Sequence, residues 1–361
     1  MENIERLALR GSKIFTPAEI ETVESFSSIP DFLKAYTDPT LERKKRRVEQ
    51  FWSDDIAERC LKVLGRQDIT VIFPEEEGYP PLLKEIEPIP QVLFVKGKVS
   101  LLSGSELRIA CVGSRKPSSY GKYAVQKIIS QLAEYKITIV SGLAYGIDVM
   151  AHVTAIEKGT HTIGVLGFGV DHIYPVSNTI AFRKVAEQGC LVSEYLPWQK
   201  PEIYFFPERN RIISGLSQGV LVIEASKTSG SLITVQYALS QNRDVFAIPG
   251  SIQSALSEGT NGLIKKGAKL VTDASDIVEE YPWLLPTTPK TPPHEAAAES
   301  LTPEEKTVYA LIVEGCDQFD RMMEKTRFQP ANLNRILTNL SLKGLVANIG
   351  SQYLPGQEGS Q

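Results

Sequence analysis

The segment between Phe206 and Gly230 carries the main signal for the fold of this chain. It reads Phe206-Pro207-Glu208-Arg209-Asn210-Arg211-Ile212-Ile213-Ser214-Gly215, continues as Gly219-Val220-Leu221-Val222-Ile223-Glu224, and ends in the turn Ser229-Gly230. The apolar run predicts a buried strand, with two arginines and an asparagine before it and small residues after it. Guanidinium groups suit phosphate oxygens, and open α/β sheets bind ligands beyond the carboxyl ends of their strands. The stretch therefore predicts an anion-binding edge on an α/β sheet.

The neighbouring sequence alternates short apolar runs with amphipathic segments. Strands are predicted at Arg108–Val112, Ile137–Ser141, Thr162–Leu166, Leu191–Ser193, Val220–Glu224, Val245–Ile248 and Lys269–Val271, with a short edge strand at Val92–Val95. Helices are predicted near Tyr120–Glu134, Gly146–Lys158, Ile180–Glu187, Ser231–Ser240, Leu263–Lys266 and Ser275–Glu280. This order is typical of βα units in a parallel sheet, and right-handed crossovers make the sheet doubly wound. We expect an extended Rossmann-like α/β domain over residues 71–281.

Three other segments flank this domain. Residues 1–70 are helical in pattern, with helices predicted from Thr16 to about Phe26, over 29–36 and over 41–64. They form either a DNA-contacting module of the SAM or helix-hairpin-helix kind or a packing domain. Residues 282–300 are rich in proline and predict an extended linker. Residues 301–361 predict helices at 303–314, 318–325 and 330–343 and then a small hairpin, which together make a winged helix.

Composition excludes several classes of protein. No apolar run is long enough to span a bilayer and no signal peptide precedes the first helix, so we expect a cytoplasmic protein without a membrane partner. Four scattered cysteines without a C-x-x-C spacing argue against a metal site and a disulfide framework, and we expect no cofactor. The net charge of −4 does not indicate a nucleic-acid binder, but local basic patches decide that question. One such patch, residues 43–47, is either a solvated helix face or a binding surface.

Glycine-rich turns with nearby cations follow several predicted strands. The candidate anion-binding residues in these turns are Gly113, Ser114, Arg115, Lys116, Gly142, Lys227, Gly230 and Ser231. Glycine admits a ligand close to backbone N–H groups, and the hydroxyl and basic side chains can donate to phosphate. The turns match neither G-x-G-x-x-G nor a Walker A loop. Repetition along one edge suits an extended polyanion better than a single mononucleotide.

Phe206 lies beside basic residues, as single-stranded nucleic acid favours, because a ring stacks on a base while guanidinium groups contact the backbone. The alternative is that Phe206 packs in the core and Arg209 pairs with Glu208 or Glu224. We expect Asn210 and Arg211 to face the nucleic-acid backbone.

Two further groups leave their roles open. Asp148 and His152 are four residues apart, so they form either a dyad on one helix face or a helix cap and a structural histidine. The turn Gly167–Pro175, with its aromatic and imidazole groups, either lines a base pocket or closes the domain.

Several blocks between residues 79 and 271 together carry a family resemblance. They are Gly113-Ser114-Arg115, Val140–Asp148 with Ala151-His152, Phe206-Pro207-x-Arg209-Asn210-Arg211 with Ile212–Leu216, Glu224-Ala225, Ser229-Gly230-Ser231-Leu232-x-Thr234, Val245-Phe246-Ala247-x-Pro249-Gly250 and Gly259-x-Asn261-x-Leu263-Ile264-x-x-Gly267-Ala268. In these blocks the chain resembles the DNA-processing protein A (DprA/Smf) family.

This resemblance implies a homodimeric bacterial protein that binds single-stranded DNA and loads a RecA-type recombinase during natural transformation. It implies that Gly113, Ser114 and Arg115 hold backbone phosphate. It also implies that Phe206, Asn210 and Arg211 contribute base stacking and charge. One departure concerns Ile203, which stands where many relatives carry a basic residue; Lys200 is a candidate substitute.

The sequence thus favours a non-catalytic single-stranded DNA-binding protein. One alternative is a Rossmann-type nucleoside monophosphate phosphoribohydrolase, although the Pro-Gly-Gly-x-Gly-Thr motif of such enzymes is not reproduced at Gly259-Thr260-Asn261-Gly262. Another is a transcription factor whose winged helix reads duplex DNA, although the third C-terminal helix has a sparse basic face.

Overall fold

The computed structural model describes residues 1–36, 42–284, 301–313, 316, 318–343, 345–349 and 352–355. The chain divides into two compact units, Met1–Leu285 and Pro286–Gln361, and each is described by itself. Most of the predicted linker at 282–300 lies outside the described residues.

A nine-stranded sheet forms the centre of the first unit. Its strands are β1 (Thr70–Ile72), β2 (Leu93–Gly97), β3 (Arg108–Val112), β4 (Thr138–Ser141), β5 (Thr162–Val165), β6 (Cys190–Ser193), β7 (Gly219–Val222), β8 (Asp244–Ala247) and β9 (Lys269–Leu270). The strand order is β1-β2-β6-β5-β4-β3-β7-β8-β9, with β3 to β9 parallel and β1 and β2 added antiparallel at one edge. Winding reverses between β3 and β7, which defines the topological switch point. The predicted Rossmann-like sheet is confirmed.

Helices cover both faces of this sheet. They are α1 (Asn3–Ser12), α2 (Pro17–Glu24), α3 (Ile29–Ala35), α4 (Glu42–Phe51), α5 (Asp54–Leu64), α6 (Ser100–Ser103), α7 (Ser119–Glu134), α8 (Ile147–Glu157), α9 (Thr179–Gln188), α10 (Phe205–Gly215), α11 (Ser231–Ser240), α12 (Glu258–Lys265) and α13 (Ser275–Val278). Alternate residues of β3 face opposite layers. Ile109 and Cys111 pack with α7 and α8, whereas Ala110 and Val112 pack with α10 and α11.

Helix α10 is the largest departure from the predicted elements, because no helix is predicted over Phe205–Gly215. Its apolar side chains Ile212 and Ile213 are buried against the sheet, and Pro207 falls in its first turn, where a proline is tolerated. Arg209 and Arg211 are also buried, so charge interrupts the apolar periodicity that would otherwise indicate a buried helix. The helix carries Phe206 and Asn210 towards the sheet.

The N-terminal helices pack partly on the sheet and partly on one another. Leu7 of α1 and Val63 of α5 join the apolar cluster under β2 and α9, while Leu9 joins a second cluster formed by α1 to α4. The predicted single helix over 41–64 is wrong, since α4 ends at Phe51 and Ser53 begins α5 by accepting a hydrogen bond from the Ile56 N–H at 3.3 Å. Leu41 itself lies outside the described residues.

The second unit contains α14 (Pro303–Val313), α15 (Phe319–Thr326), α16 (Pro330–Leu342) and the hairpin β10 (Val346–Ile349) and β11 (Gln352–Pro355). Val308, Ile312, Leu333 and Leu337 form part of its core. The predicted winged helix is confirmed, although the hairpin turn at 350–351 is not among the described residues. Across the described ranges, no helix is both long and apolar enough to cross a membrane.

Candidate functional site

A cavity of about 360 Å³ opens at the carboxyl edge of the sheet, at the switch point between β3 and β7. Its walls come from the loop after β3, the first turn of α8, the first half of α10 and the loop that enters α11. Seven predicted site residues meet here: Gly113, Ser114, Arg115, Phe206, Asn210, Gly230 and Ser231. The structure therefore brings most of the predicted anion edge into one cavity, here called the switch-point cavity.

The loop after β3 is held by its backbone and leaves its charges exposed. Ser118 caps α7 by accepting from the Gly121 N–H at 3.1 Å, and the buried Glu224 accepts from the Ser118 N–H at 2.9 Å. Arg115 is exposed and makes no hydrogen bond or ion pair with any described residue. A fixed loop with a free guanidinium can receive a phosphate without first breaking an internal contact.

Two glycines after β4 bring the neighbouring loops together. Gly146 has φ +77°, and a Cβ there would lie 2.3 Å from the Ser114 carbonyl oxygen, so only glycine fits this close approach. Gly142 is buried: its N–H donates to Asp148 Oδ2 at 3.2 Å, and its carbonyl accepts from Arg209 Nη1 at 2.9 Å. Gly142, predicted as an anion-binding residue, lies outside the cavity lining and instead positions Arg209.

Arg209 is a buried cation in the wall of the switch-point cavity. Its side chain donates to the carbonyls of Gly142 and Val165, and Nε donates to Asn210 Oδ1 at 3.2 Å. Burial lowers the pKa of its guanidinium to about 10, so the group stays charged at neutral pH.

The alternative pairing of Arg209 with Glu208 or Glu224 is wrong. Glu208 instead accepts from Lys13 Nζ at 2.6 Å, while Glu224 holds Ser118. Arg209 is buried, as that alternative expected, but its partners are backbone carbonyls.

Arg211 is the main correction to the predicted site. Its side chain is 3% exposed and forms an ion pair with the buried Glu194, whose second oxygen lies 3.1 Å from Lys13 Nζ. Residues two apart on a helix point about 200° apart, so Arg209 and Arg211 cannot both face the cavity. The expectation that Arg211 contacts a nucleic-acid backbone is wrong, because the group is committed to the interior.

Phe206 packs against other aromatic rings and also lines the switch-point cavity. The half-buried ring packs edge-on against Phe168 at 6.3 Å between centroids and lies 5.5 Å from the ring of Tyr174. Gly167 makes room for it, since a Cβ there would be 3.1 Å from Phe206 Cδ1. The ring also lines the switch-point cavity, so core packing holds it in place at the surface where a base could stack.

Two predicted cations fall elsewhere. Lys116 is exposed beside Arg115 but does not line the switch-point cavity. Lys227 is exposed and lines a second groove of about 1190 Å³ along α11 and α12. Lys116 and Lys227 are exposed cations like Arg115, but the fold places only Arg115 of these three in the lining of the switch-point cavity.

Residues not predicted for the site complete its wall. They include Asp148, Arg209, Ser229, Ile233, Thr234 and Leu256. The burial of Asp148 and Arg209, which would mark them as paired groups, is visible only in the structure, so the sequence carries no signal for these wall residues.

Asp148 and His152 do not form the suggested dyad. The fully buried His152 places Nδ1 2.6 Å from Thr162 Oγ1, whereas Asp148 binds the Gly142 N–H. Burial lowers the pKa of His152 to about 3 and raises the pKa of Asp148, the latter against the opposing charge of Arg209. Nor is any group of three or more His, Cys, Asp or Glu side chains in the described ranges arranged to hold a metal ion.

Together, the fold and the cavity define a class: a Rossmann-like α/β protein with a cationic, partly aromatic site at its switch point, joined in sequence to a winged helix. A family model for DNA recombination-mediator protein A matches residues 70–282, and a DprA winged helix domain model matches residues 292–350. The chain belongs to the DNA-processing protein A (DprA/Smf) family.

Individual relatives agree with this assignment. The chain is 43% identical over 238 residues to the DNA processing protein DprA of Bacillus subtilis, covering 66% of this chain and 79% of that protein. It is 46% identical over 206 residues to DprA of Streptococcus pneumoniae, covering 57% and 72%. The X-ray structure of the pneumococcal protein superposes with a TM-score of 0.67 at 37% identity, over 78% of this chain and 98% of that chain.

A second solved structure describes the single-stranded DNA binding mode of DNA processing protein A from Helicobacter pylori. It superposes with a TM-score of 0.55 at 28% identity, over 60% of this chain and 97% of that chain.

Proposed function

We propose that this chain is a non-catalytic protein that binds single-stranded DNA in the switch-point cavity. The observation that carries the proposal is that the free guanidinium of Arg115 and the ring of Phe206 line one cavity, with the buried cation Arg209 in its wall. A ring for a base beside cations for the backbone is the arrangement that unpaired strands bind. The single-stranded DNA bound by the H. pylori relative supports the same ligand.

The depth of the aromatic group favours a single strand over a duplex. Phe206 is half-buried at the cavity wall, so a base must leave its stack to meet the ring. In a duplex that step also costs base pairing, whereas an unpaired base avoids this cost. The same cavity should therefore discriminate between the two forms of DNA.

The charges in the wall support binding rather than hydrolysis. Asp148 is the sole acidic residue among those that line the cavity, and it is held by the Gly142 N–H. Glu224, the other buried acid at this edge, is occupied by Ser118. Neither carboxylate is presented to a ligand as a free base or nucleophile would be.

The family also suggests what happens to the bound strand. We propose that the protein passes it to a RecA-type recombinase during natural transformation and acts as a homodimer. For the dimer, the second groove offers apolar surface at Leu239, Ile252 and Leu270, which are 62%, 94% and 44% exposed. Leu239→Glu should shift the sedimentation of the protein from dimer to monomer; unchanged sedimentation would place the dimer contact elsewhere.

One competition experiment tests the binding function. A labelled oligothymidylate of about 20 nucleotides is bound to the full chain and then challenged with unlabelled single strand, duplex and AMP. We expect single strand to compete best, and Arg115→Ala to weaken binding about tenfold, the loss expected for one charge-assisted contact. Arg183→Ala, which removes an exposed arginine on α9, is the matched control and should bind like wild type.

Other outcomes would reject the proposal. Equal competition by duplex or AMP would contradict a single-strand site. Release of free base from AMP would instead favour the nucleoside monophosphate phosphoribohydrolase.

A further inference from the structure

An exposed aromatic ring lies next to the switch-point cavity but outside it. Tyr174, in the loop after β5, is 47% exposed, and its ring centroid lies 5.5 Å from that of Phe206 with 33° between the planes. Phe206 belongs to the cavity wall and Tyr174 does not. The pair therefore extends the aromatic wall outwards, from the cavity towards the loops that follow β4 and β5.

The loop that carries Tyr174 is anchored on both sides. His172 Nε2 lies 2.9 Å from the Trp198 carbonyl oxygen. The buried Asn178 donates from Nδ2 to the carbonyls of Leu143 at 3.0 Å and Ala144 at 3.3 Å. The Asn178 bonds join the loops after β4 and β5, and together with the His172 contact they anchor the backbone on either side of Tyr174, whose ring stays half exposed.

This surface is apolar where it is exposed. Ile173, Val176 and Ile180 are 37%, 76% and 73% exposed, and Tyr145 stands on the adjoining loop after β4. An exposed apolar patch that continues from a binding cavity marks a surface that meets a ligand or a partner. Because the patch meets the cavity through two aromatic rings, its chemistry fits the flat face of a base at that junction.

We propose that Tyr174 is a second stacking position for the strand whose neighbouring base meets Phe206. This proposal rests on the proposed function and extends it to a second nucleotide. The 5.5 Å between the ring centroids exceeds the ~3.4 Å per nucleotide of a stacked strand. Two consecutive bases therefore reach the two rings when the backbone between them is slightly extended.

The proposed site therefore has two chemically different sides, one charged and one aromatic. On the side of the loop after β3, Arg115 offers charge to the backbone. On the side of the loop after β5, Tyr174 offers a ring to a base. The phosphate contact of Arg115 depends on salt, because a neutralised phosphate releases counterions. Stacking on Tyr174 releases no counterion, so its contribution does not change the salt dependence.

That difference gives the test. Tyr174→Ala in the full chain should weaken binding of an oligothymidylate of about 20 nucleotides by about tenfold, a loss typical of one stacked base, and leave the slope of log affinity against log salt unchanged. Tyr174→Phe keeps the ring and should bind like wild type. Tyr123→Ala removes a tyrosine on α7 that is 62% exposed and should also have no effect.

Because Tyr174 packs against Phe168 and Phe206, the urea midpoint of the Tyr174→Ala variant is measured in parallel. Affinities are then compared under conditions in which every variant is folded. Wild-type affinity for Tyr174→Ala would overturn the second position while leaving the proposed function intact. A change in sedimentation without a change in affinity would also overturn it, since the patch would then be a protein contact. Failure of the wild-type chain to bind single strands would reject the proposed function first.

Discussion

The loop after β3 and helix α10 both bring arginines to the carboxyl edge of the sheet, but they use them in opposite ways. In the loop, Glu224 and Ser118 hold the backbone, and Arg115 stays exposed without a hydrogen bond or ion pair to any described residue. In the helix, Arg209 and Arg211 are 4% and 3% exposed and are bound by carbonyls or by Glu194. A cation near a ligand site is therefore available to the ligand only where the fold has not already used it.

The buried arginines of α10 stabilise the first unit. Arg211 neutralises Glu194 under α10, and Lys13, the residue after α1, reaches the same carboxylate. A buried charge is tolerated only with such partners, and loss of one partner leaves the other uncompensated. The ion pairs consequently fasten α10, and with it Phe206 and Asn210, to the rest of the first unit.

The largest effect that separates the two regions is expected on stability. Arg211→Ala leaves Glu194 buried with Lys13 alone, and we expect a loss of about 3 kcal/mol in the free energy of unfolding, at the low end for a broken buried pair because Lys13 remains. Urea denaturation measures it. Arg183→Ala is the exposed control and should change the free energy by less than about 0.5 kcal/mol. An unchanged urea midpoint for Arg211→Ala would mean that the buried ion pair does not stabilise the fold.

The buried imidazole of His152 is a third internal group, and unlike the two arginines it is held neutral by the fold. Burial lowers the pKa of His152 from 6.5 to about 3, so the unfolded chain binds the proton more tightly than the folded chain. Its stabilising contribution is complete above pH 6.5 and is lost as the pH falls towards 3. At pH 5 the loss should reach about 2 kcal/mol.

The measurement for His152 is the urea midpoint as a function of pH. His152→Gln should show a shallower fall than wild type between pH 7 and pH 5, whatever its stability at pH 7. Parallel curves for the two proteins would mean that His152 is not held neutral by the fold.

The smallest effect concerns Lys116, next to Arg115 but outside the cavity lining. Lys116→Ala should weaken single-strand binding only about two- to threefold, or about 0.5 kcal/mol, as expected for a distant screened charge. Fluorescence anisotropy at moderate salt resolves this difference. A loss as large as that for Arg115→Ala would show that the strand leaves the cavity along this loop.

The sequence predicts the sheet well because its signals are local. The predicted strand Arg108–Val112, which is apolar from Ile109 onwards, coincides with β3, and the glycines after it mark where backbone must approach backbone. Helix α10 is different, since its buried arginines look like surface residues in a pattern of polar and apolar letters. Only the positions of Gly142, Val165 and Glu194, distant in sequence, show why the charges are inside.

The same limit applies to the aromatic residues of the site. The sequence leaves the turn Gly167–Pro175 undecided between a base pocket and a domain closure. The structure separates the two rings, because Phe168 is buried whereas Tyr174 is half exposed beside Phe206, so only Tyr174 is open to the base that we propose. Period and composition cannot separate two rings six residues apart in one loop.

We propose that Arg115 serves the ligand, whereas Arg211 serves the fold. The most direct test is the slope of log affinity against log salt for single-stranded DNA, measured on wild type, Arg115→Ala and Arg211→Ala where all three are folded. We predict that Arg115→Ala lowers the magnitude of the slope by about 0.7, the value for one phosphate contact on a single strand, and that Arg211→Ala keeps the wild-type slope. A reduced slope for Arg211→Ala together with an unchanged slope for Arg115→Ala would contradict the account.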